Sequence, residues 1–422
     1  MTQPESRSPG PERLVLRRIA VAVTVGALAS LTALPVEATP AYERRYGVMC
    51  QTCHAPLPPR LNNFGVVFRK AGFRLPDSDD EGKLLYKTVP ARGIGDATSL
   101  AADVSARRDK EAEEGNRTSL ELGEVEALAG TAIGEHVSAQ AMFVAWDEGM
   151  SELENAEVQY NAGSARHQFV ARGGLMQTYL WQKANHGSLT LSTPLIFAGR
   201  SPVEAEGRIP FGLGANQIGA EVGYLFTGLK EGKLSSTMLT AAVLNGVNAE
   251  AERALRNTTS GADVYLQAMQ LFGSRNTISA FYYRGRSALE AEEGAEGEEP
   301  ADTKQRFTRY GLRGNYLLFD RLDLVAGAAL GKDRLEPSNA ETKNRGLFGE
   351  AAVTLTPRWI GVYRFDAVDP DKDVDDDAVR AHTVSTTFQA EHHLYLTGEY
   401  RWLRRREDEK DWTFVVNARL VY

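Results

Sequence analysis

Apolar and polar side chains alternate along much of the chain from about residue 98 to the C-terminus, in segments of about ten residues. In one segment Ile218, Val222 and Tyr224 are apolar, while the alternate positions from 217 to 223 are polar or glycine. Three further segments show the same alternation: 322–331, 347–355 and 394–402. Because successive side chains of a β-strand point to opposite faces, this pattern predicts strands with one apolar and one polar or small face. Such strands suit a membrane barrel with a wet interior.

About sixteen such segments can be counted, an even number of the kind that bacterial outer-membrane barrels have. Their predicted starts lie near residues 98, 118, 137, 154, 167, 215, 234, 263, 276, 307, 322, 345, 359, 380, 394 and 411. In lipid every backbone polar group must be paired, so these strands must close into a ring. The sequence therefore predicts an all-β transmembrane antiparallel β-barrel over residues 97–422.

The connections between the predicted strands alternate in length. The tight ones lie near Gly134, Gly273–Ser274, Asp320–Arg321, Pro357 and Glu391–His392. If the chain enters from the periplasm, the tight connections all fall on the periplasmic side and the long polar ones outside, as in outer-membrane barrels. The aromatic Tyr422 at the end of the last strand resembles the assembly signal of such proteins. We therefore expect the cell outer membrane as the location and its lipid as a partner.

Two regions depart from the simple pattern. Glu124 and Glu126 would lie on the same face of a regular strand as Leu120 and Leu122. This strand therefore requires a bulge or a twist toward the lumen. Residues 174–213 contain no clean strand and are predicted to form a long outer loop that folds into the lumen or covers the mouth. The alternative to a barrel is a large soluble β-sandwich or propeller, although no blade-length repeat is visible.

Residues 1–38 read as a secretory signal peptide. Arg13, Arg17 and Arg18 supply a positive start, the uncharged apolar run 19–34 follows, and a small-x-small cleavage pattern ends at Ala38. The run is too short and wrongly flanked for a membrane-spanning helix. The sequence therefore predicts that the mature chain is exported across the inner membrane.

The run Cys50-Gln51-Thr52-Cys53-His54 is the C-x-x-C-H signature of c-type haem attachment. Two thiols form thioethers with the haem vinyl groups, and the adjacent His54 lies under the iron as proximal ligand. A zinc site would need more thiols or a paired histidine, and these are the only two cysteines. A thioredoxin-like pair would need a βαβ pattern, and a disulfide would leave His54 unexplained.

Residues 39–96 are therefore predicted to be a monohaem cytochrome c segment with one covalent haem c. About sixty residues are too few for a comfortable independent core, so the haem and the barrel must contribute to it. Leu61, Phe64, Val67, Phe68 and Phe73 are spaced as one face of a short helix.

The distal position of the haem iron has no obvious ligand, because no His or Met lies between His54 and the first strand. The ligand must come from the barrel, from Lys70 or Asn63, or from water. Met142 and Met269, on inward parities, are the first candidates, and a Met ligand would raise the haem potential relative to two histidines. Further candidates are His167 and His186, whereas His392 and His393 lie at a turn.

The predicted inward faces also carry charges of both signs. The candidates are Arg309, Arg313, Arg364, Arg401 and Arg419 against Glu157, Glu221, Glu350 and Glu399. Opposed charges inside a barrel would pair and narrow it, or they would hold haem propionates.

The stretches 38–54 and 60–65 (Arg-Leu-Asn-Asn-Phe-Gly) together resemble the start of the fused monohaem cytochrome–porins of the bacterial outer membrane. The best-known branch of that family is the outer-membrane ferrous iron oxidase of iron-oxidising bacteria. The order of signal, one haem and a barrel is also similar. The resemblance implies a haem held inside a porin and electron transfer across the outer membrane. The run Glu43-Arg44-Arg45-Tyr46 departs from the iron-oxidase pattern, which leaves the substrate open.

The resemblance implies that the protein is an oxidoreductase. It would oxidise extracellular Fe(II) and pass the electrons to a periplasmic c-type cytochrome or similar carrier. The alternatives are electron export to an extracellular acceptor and a diffusion porin with a haem-bearing plug. No nucleic-acid partner is expected.

The predicted outer loops are acidic. One carries seven carboxylates between residues 290 and 302, another carries six between 369 and 377, and a third begins at Asp109. These residues either solvate the surface and bind lipopolysaccharide through divalent ions, or they attract cations to the mouth of the barrel. The Asp371, Asp373, Asp375 spacing resembles a calcium loop but lacks its turn glycine.

Neutralising the glutamates between Glu290 and Glu299 tests the second interpretation. We expect slower oxidation of a cationic donor at low ionic strength and little change at high ionic strength, where the field is screened. Stopped-flow rates at two salt concentrations measure the effect. Equal oxidation rates for wild type and variant at low salt would indicate that the loops only solvate the surface and bind lipopolysaccharide.

Overall fold

The structure is a computed structural model that describes residues 41–79, 81, 83–92, 96–111, 115–147, 150–176, 189–197, 216–230, 233–246, 261–288, 304–336, 338–375, 377–405 and 410–421. The predicted signal peptide, His186 and the acidic loop 290–302 lie outside these residues. No helix in the described ranges is long and apolar enough to cross a membrane.

The first described residues form three short helices and one hairpin. The helices are α1 (Ala41–Tyr46), α2 (Cys50–Cys53) and α3 (Asn63–Lys70), and the hairpin strands are β1 (Leu75–Ser78) and β2 (Leu84–Lys87).

Sixteen antiparallel strands then form a closed barrel, in which the last strand pairs with the first. They are β3 (Thr98–Glu111), β4 (Gly115–Ile133), β5 (Val137–Asp147), β6 (Met150–Gly163), β7 (His167–Met176), β8 (Gln217–Lys230), β9 (Lys233–Leu244), β10 (Asp263–Phe272), β11 (Asn276–Ala288), β12 (Lys304–Leu318), β13 (Leu322–Glu336), β14 (Glu341–Thr356), β15 (Trp359–Asp369), β16 (Val379–Glu391), β17 (Leu394–Arg404) and β18 (Lys410–Val421). The predicted barrel is confirmed, and its closure excludes the sandwich and the propeller.

The strand starts agree with the alternation of the sequence. The largest differences are at Met150 and Glu341, where the pattern predicts starts four residues later, near 154 and 345. The alternation identifies each strand and its two faces, because apolar side chains face lipid while polar ones face the lumen. Thus Val222 is 49% exposed and its neighbour Glu221 is 2% exposed.

The two ends of the barrel differ as the sequence predicts at most connections. The exceptions are the β3–β4 and β5–β6 connections, which were predicted to be long and span only residues 112–114 and 148–149. The connections after β4, β6, β8, β10, β12, β14 and β16 are all short, and this end is therefore periplasmic by the usual asymmetry of such barrels. Two of the turns place Gly134 at φ +67° and Gly273 at φ +59°, a left-handed backbone that glycine adopts without steric cost.

The parity conflict in β4 is resolved by the bulge that the sequence requires. Ala102 of β3 pairs with Val125, but Val104 pairs with Leu122, so the register shifts between them. As a result Leu122 faces outward, while Glu126 is buried in the lumen.

Part of the predicted long outer loop lies inside the barrel. The backbone N–H groups of Leu191 and Ser192 donate to the Glu399 carboxylate over 2.6 and 2.9 Å. Arg364 donates to the Ser192 carbonyl, at 2.7 Å, and to the Thr190 hydroxyl. The described residues 189–197 thus confirm the prediction that this loop folds into the lumen.

The N-terminal segment also packs against inward-facing wall residues. Lys70 Nζ lies 2.6 Å from Glu221 Oε1, and its carbonyl accepts bonds of 2.9 Å from Gln159 and Asn161. Asn63 donates to three carbonyls at the turn between β10 and β11. Buried apolar residues of α3 complete the contact, since Val66 and Val67 share a cluster with Leu225, Met238 and Met269 of the wall.

A buried charge network lies beneath α3. Arg172 donates to Glu157 over 2.8 Å and to Glu221 over 2.7 Å, and all three side chains are almost completely buried. Removing one member of such a group leaves uncompensated charge, which costs far more than the intact group contributes to stability.

Replacing Arg172 with Met should therefore lower the free energy of unfolding by roughly 3–5 kcal/mol. Adding Glu157→Gln should restore part of the loss, because it removes one uncompensated carboxylate. Urea unfolding in detergent, followed by tryptophan fluorescence, measures both. The control is Arg321→Met at an exposed turn, where we expect less than about 0.5 kcal/mol. A similar loss for Arg172→Met and Arg321→Met would contradict the network.

Candidate functional site

The two cysteines and His54 lie at a single helical turn and the residue that follows it. Cys50 and Cys53 are the first and last residues of α2, so their side chains share one helix face. Both are half-buried free thiols, and the His54 backbone N–H donates to the Cys50 carbonyl at 2.9 Å. Two thiols on one face with an imidazole beside them match the donor set that a covalent haem requires.

The His54 ring is oriented by the backbone that follows it. Its Nδ1 lies 3.2 Å from the Pro59 carbonyl oxygen, so the tautomer assigned from this contact donates from Nδ1. Burial lowers the pKa of His54, which favours the neutral ring. A neutral ring that donates from Nδ1 carries no proton on Nε2, and metal-binding histidines are commonly held in this tautomer.

Asn62 ties the turn to α3. Its side chain caps α3 by accepting from the Gly65 N–H at 2.9 Å, and its amide donates to the carbonyls of Gln51 and Thr52. Its own N–H donates to the Cys53 carbonyl. The cap explains why asparagine precedes this helix.

Gly65 allows α3 to approach the same turn. A Cβ at this position would overlap the Cys53 carbonyl oxygen. The run from Arg60 to Gly65, singled out in the sequence by resemblance alone, therefore holds the C-x-x-C-H turn in place.

Burial suppresses thiolate formation in both cysteines. It raises the pKa of Cys53 to about 12, and burial together with Glu43 raises the pKa of Cys50 to about 12. The nearest acidic group is Glu43, whose Oε2 lies 3.4 Å from Cys50 Sγ. The fit to a covalent haem rests on the donor set itself, two thiols on one face of α2 with the His54 imidazole beside them, and in this respect the residues present agree with the predicted cofactor.

The residues that the sequence suggests as distal haem ligands lie in different parts of the structure. Met142 is 1% and Met269 is 4% exposed, and both point inward as predicted. Met269 belongs to the apolar cluster beneath α3, and Met142 lies on β5 opposite Leu128 and Asn155. Their binding to iron stays a prediction.

Three other candidates are engaged elsewhere. His167 is wrong as a distal candidate, because it faces outward and its Nδ1 lies 2.5 Å from Tyr224 Oη on the same exposed face. Lys70 and Asn63 bind the barrel wall through Glu221 and the β10–β11 turn.

His392 and His393 lie close to the C-x-x-C-H turn, which the sequence did not indicate. His392 Nε2 is 3.2 Å from Glu43 Oε1, and Glu43 in turn contacts Cys50. The turn was predicted to be periplasmic, and the segment enters from that side. These two facts could have suggested that the histidines lie near the C-x-x-C-H turn, but not that Glu43 is the partner of His392.

The inward charges are confirmed as a set, since all nine predicted residues are buried or half-buried. Their partners show what they do. Arg60 pairs with Glu350, Arg309 with Asp333 at 2.6 Å, and Arg419 with Asp103 at 3.1 Å and Glu126 at 2.7 Å. These pairs knit the wall to itself and to the N-terminal segment.

One acidic outer loop is partly described. The Asp371 N–H donates to Asp377, and the Asp373 N–H donates to Asp371. Burial and the nearby carboxylates of Asp369 and Asp371 raise the pKa of Asp377 to about 6. The loop is therefore partly organised by its own backbone.

The fold is similar to that of known outer-membrane channels. An anion-selective porin from Comamonas acidovorans matches with a TM-score of 0.55 and 11% identity, over 77% of this chain and 98% of that one. A loop-deletion mutant of OmpT from Vibrio cholerae gives 0.53 and 10%, over 77% and 99%. The channel DcaP of Acinetobacter baumannii gives 0.51 and 11%, over 77% and 96%. At these identities the likeness shows the fold, a porin-like barrel of the outer membrane.

No known protein family and no curated protein matches the sequence.

Replacing Gly65 with Ala should push α3 away from the Cys53 carbonyl and expose that thiol. In haem-free protein, alkylation of Cys53 should then accelerate by roughly threefold for each unit by which its pKa falls, because the larger thiolate fraction is partly offset by a less nucleophilic thiolate. Mass spectrometry of iodoacetamide-treated protein at several pH values measures the rate. Gly349→Ala is the control, because its Cβ meets nothing within 4 Å. Equal Cys53 rates in the two variants would show that α3 does not shield the thiol.

Proposed function

We propose that this chain is an outer-membrane electron-transfer protein that carries one haem c on its N-terminal segment. In this proposal Cys50 and Cys53 hold the haem covalently and His54 is the proximal iron ligand. The segment is a haem-bearing plug at the periplasmic end of the barrel. Electrons pass from an extracellular donor, Fe(II) in the simplest case, to a periplasmic c-type cytochrome or similar carrier.

The observation that carries the proposal is the arrangement of the C-x-x-C-H turn. The His54 ring is oriented by the Pro59 carbonyl through Nδ1, and the two thiols share a face of α2 beside it. When bound, the haem supplies a one-electron couple whose potential depends on its axial ligands and burial. Met142 and Met269 stay our candidates for the distal position.

The filling of the lumen favours electron transfer over bulk diffusion. The N-terminal segment binds the wall through Arg60 and Lys70, and residues 189–197 bind Arg364 and Glu399 from within. A barrel occupied at two places is a poor open channel, but it holds a prosthetic group firmly.

A specific observation favours a second candidate, a diffusion porin with a haem-bearing plug. The barrel is similar to that of an anion-selective porin. Conductance separates the two functions, because a diffusion porin must conduct ions with the N-terminal segment in place.

Changing both Cys50 and Cys53 to Ala should abolish covalent haem while the barrel still assembles. Haem staining of denatured protein measures attachment, and heat-dependent mobility in a gel measures assembly. Cys50→Ala and Cys53→Ala singly should each reduce staining. Full staining of the double variant would contradict the proposed attachment.

Purified wild-type protein should be reduced by Fe(II) in a spectroscopic redox titration. The planar bilayer conductance of the same preparation should be small beside that of an open porin. No reduction by Fe(II) together with reduction by a periplasmic cytochrome would indicate electron export instead. Large conductance and no redox exchange would favour the diffusion porin.

A further inference from the structure

A carboxylate and two histidines from distant parts of the chain meet at the periplasmic end of the barrel. Glu43 belongs to α1, and His392 and His393 form the turn between β16 and β17. One ring nitrogen of each histidine and one Glu43 oxygen all lie within 4.8 Å of one another. Among the residues that the structure describes, this is the one group of three or more potential metal ligands that meets that distance.

We propose that Glu43, His392 and His393 bind a divalent first-row transition-metal ion. Two imidazoles and one carboxylate suit Zn²⁺, Fe²⁺ or Cu²⁺, whereas Mg²⁺ and Ca²⁺ prefer oxygen ligands alone. At metal–ligand distances of about 2.0–2.2 Å, tetrahedral donors are about 3.4 Å apart. Small side-chain rotations bring the three donors from their present separations to that spacing.

The two elements that supply the ligands are each held by the barrel. In α1, Arg44 donates to the Thr98 carbonyl at 2.9 Å and Arg45 to the Thr131 hydroxyl at 2.8 Å. The backbone carbonyls of the two histidines accept bonds from the Gln389 side chain, at 2.7 Å, and from the Val421 N–H, at 3.0 Å. A metal ion would therefore order little beyond the three side chains.

The histidine rings themselves have capacity for a ligand bond. His393 Nδ1 is buried, and no hydrogen-bond partner is found for it in the described structure. His392 is exposed, and its Nε2 lies 3.2 Å from Glu43 Oε1. The two rings pack edge to face with centroids 4.5 Å apart.

The site adjoins the C-x-x-C-H turn, because Glu43 contacts Cys50 Sγ through its other oxygen, at 3.4 Å. If the proposed haem is attached there, a bound cation lies beside the haem edge and would raise its potential by opposing oxidation to the more positive state. That consequence rests on the proposed function. The binding of the metal does not, since none of its three ligands comes from the haem motif.

The test uses untagged full-length protein in detergent, stripped with a chelator and titrated with Zn²⁺ by calorimetry. We expect one tight site per chain, and at least about tenfold weaker binding for Glu43→Gln, His392→Asn and His393→Gln separately. The matched control is His136→Gln at another periplasmic turn, where Nδ1 is 2.9 Å from the Asn161 carbonyl and binding should not change. Electron paramagnetic resonance of bound Cu²⁺ should show two coupled nitrogens in wild type and one in either histidine variant.

Zn²⁺ binding that is equal in wild type and all three variants would be adventitious and would overturn the proposal. A second result would also overturn the proposal. If no divalent ion binds and His393→Gln removes a spectroscopic signal of histidine bound to the haem iron, then His393 is an axial haem ligand instead. The same titration in Cys50→Ala, Cys53→Ala protein separates the two ideas. Tight Zn²⁺ binding without covalent haem supports the metal site alone, and a missing haem in wild type refutes only the proposed function.

Discussion

The pairing of backbone N–H and C=O groups in a medium without water determines the form of this protein. Strands that cross lipid have no solvent partner for these groups, so the sheet must have no free edge. Here β18 closes on β3, and all neighbouring strands pair antiparallel. Closure then divides the side chains into a lipid-facing set and an inward set, and the polar groups on the inward side need partners from the lumen or from water.

Charge pairs and two pieces of the chain supply many of these partners. Arg172 lies between Glu157 and Glu221, and Arg364 and Glu399 bind the residues around Ser192. The N-terminal segment occupies the periplasmic end through contacts of the same kind. Polar contacts with the wall, together with the apolar cluster around Val66 and Val67, thus account for the docking of a segment with too few residues for a comfortable core of its own.

Much of the fold follows from local sequence, because a two-residue period and a tight turn are properties of neighbouring residues. The starts of β3, β10 and β17 agree with the alternation, and Cys50, Cys53 and His54 are recognised by adjacency alone. The bulge between Ala102 and Val104 was required by parity, but its place depends on pairing with β4. Such pairing is a tertiary property. In the sequence it is visible only as a break in the alternation of apolar and polar residues.

Other features of the site had no local signal. Asn62 holds α2 and α3 together through hydrogen bonds whose geometry a sequence does not show. His392 approaches Glu43 only because the ring brings β16 and β17 to α1. The Met candidates could be assigned a face but not a distance, and the sequence did not show that His167 faces outward.

The contacts of the N-terminal segment also bear on the order in which the molecule is assembled. Lys70 meets a partner 151 residues later, Arg60 one 290 residues later and Glu43 one 349 residues later. Contacts between residues so far apart in sequence form late, since they must await the closure of long loops. The part of the chain made first is thus completed last, and it stays accessible to periplasmic enzymes until the ring closes around it.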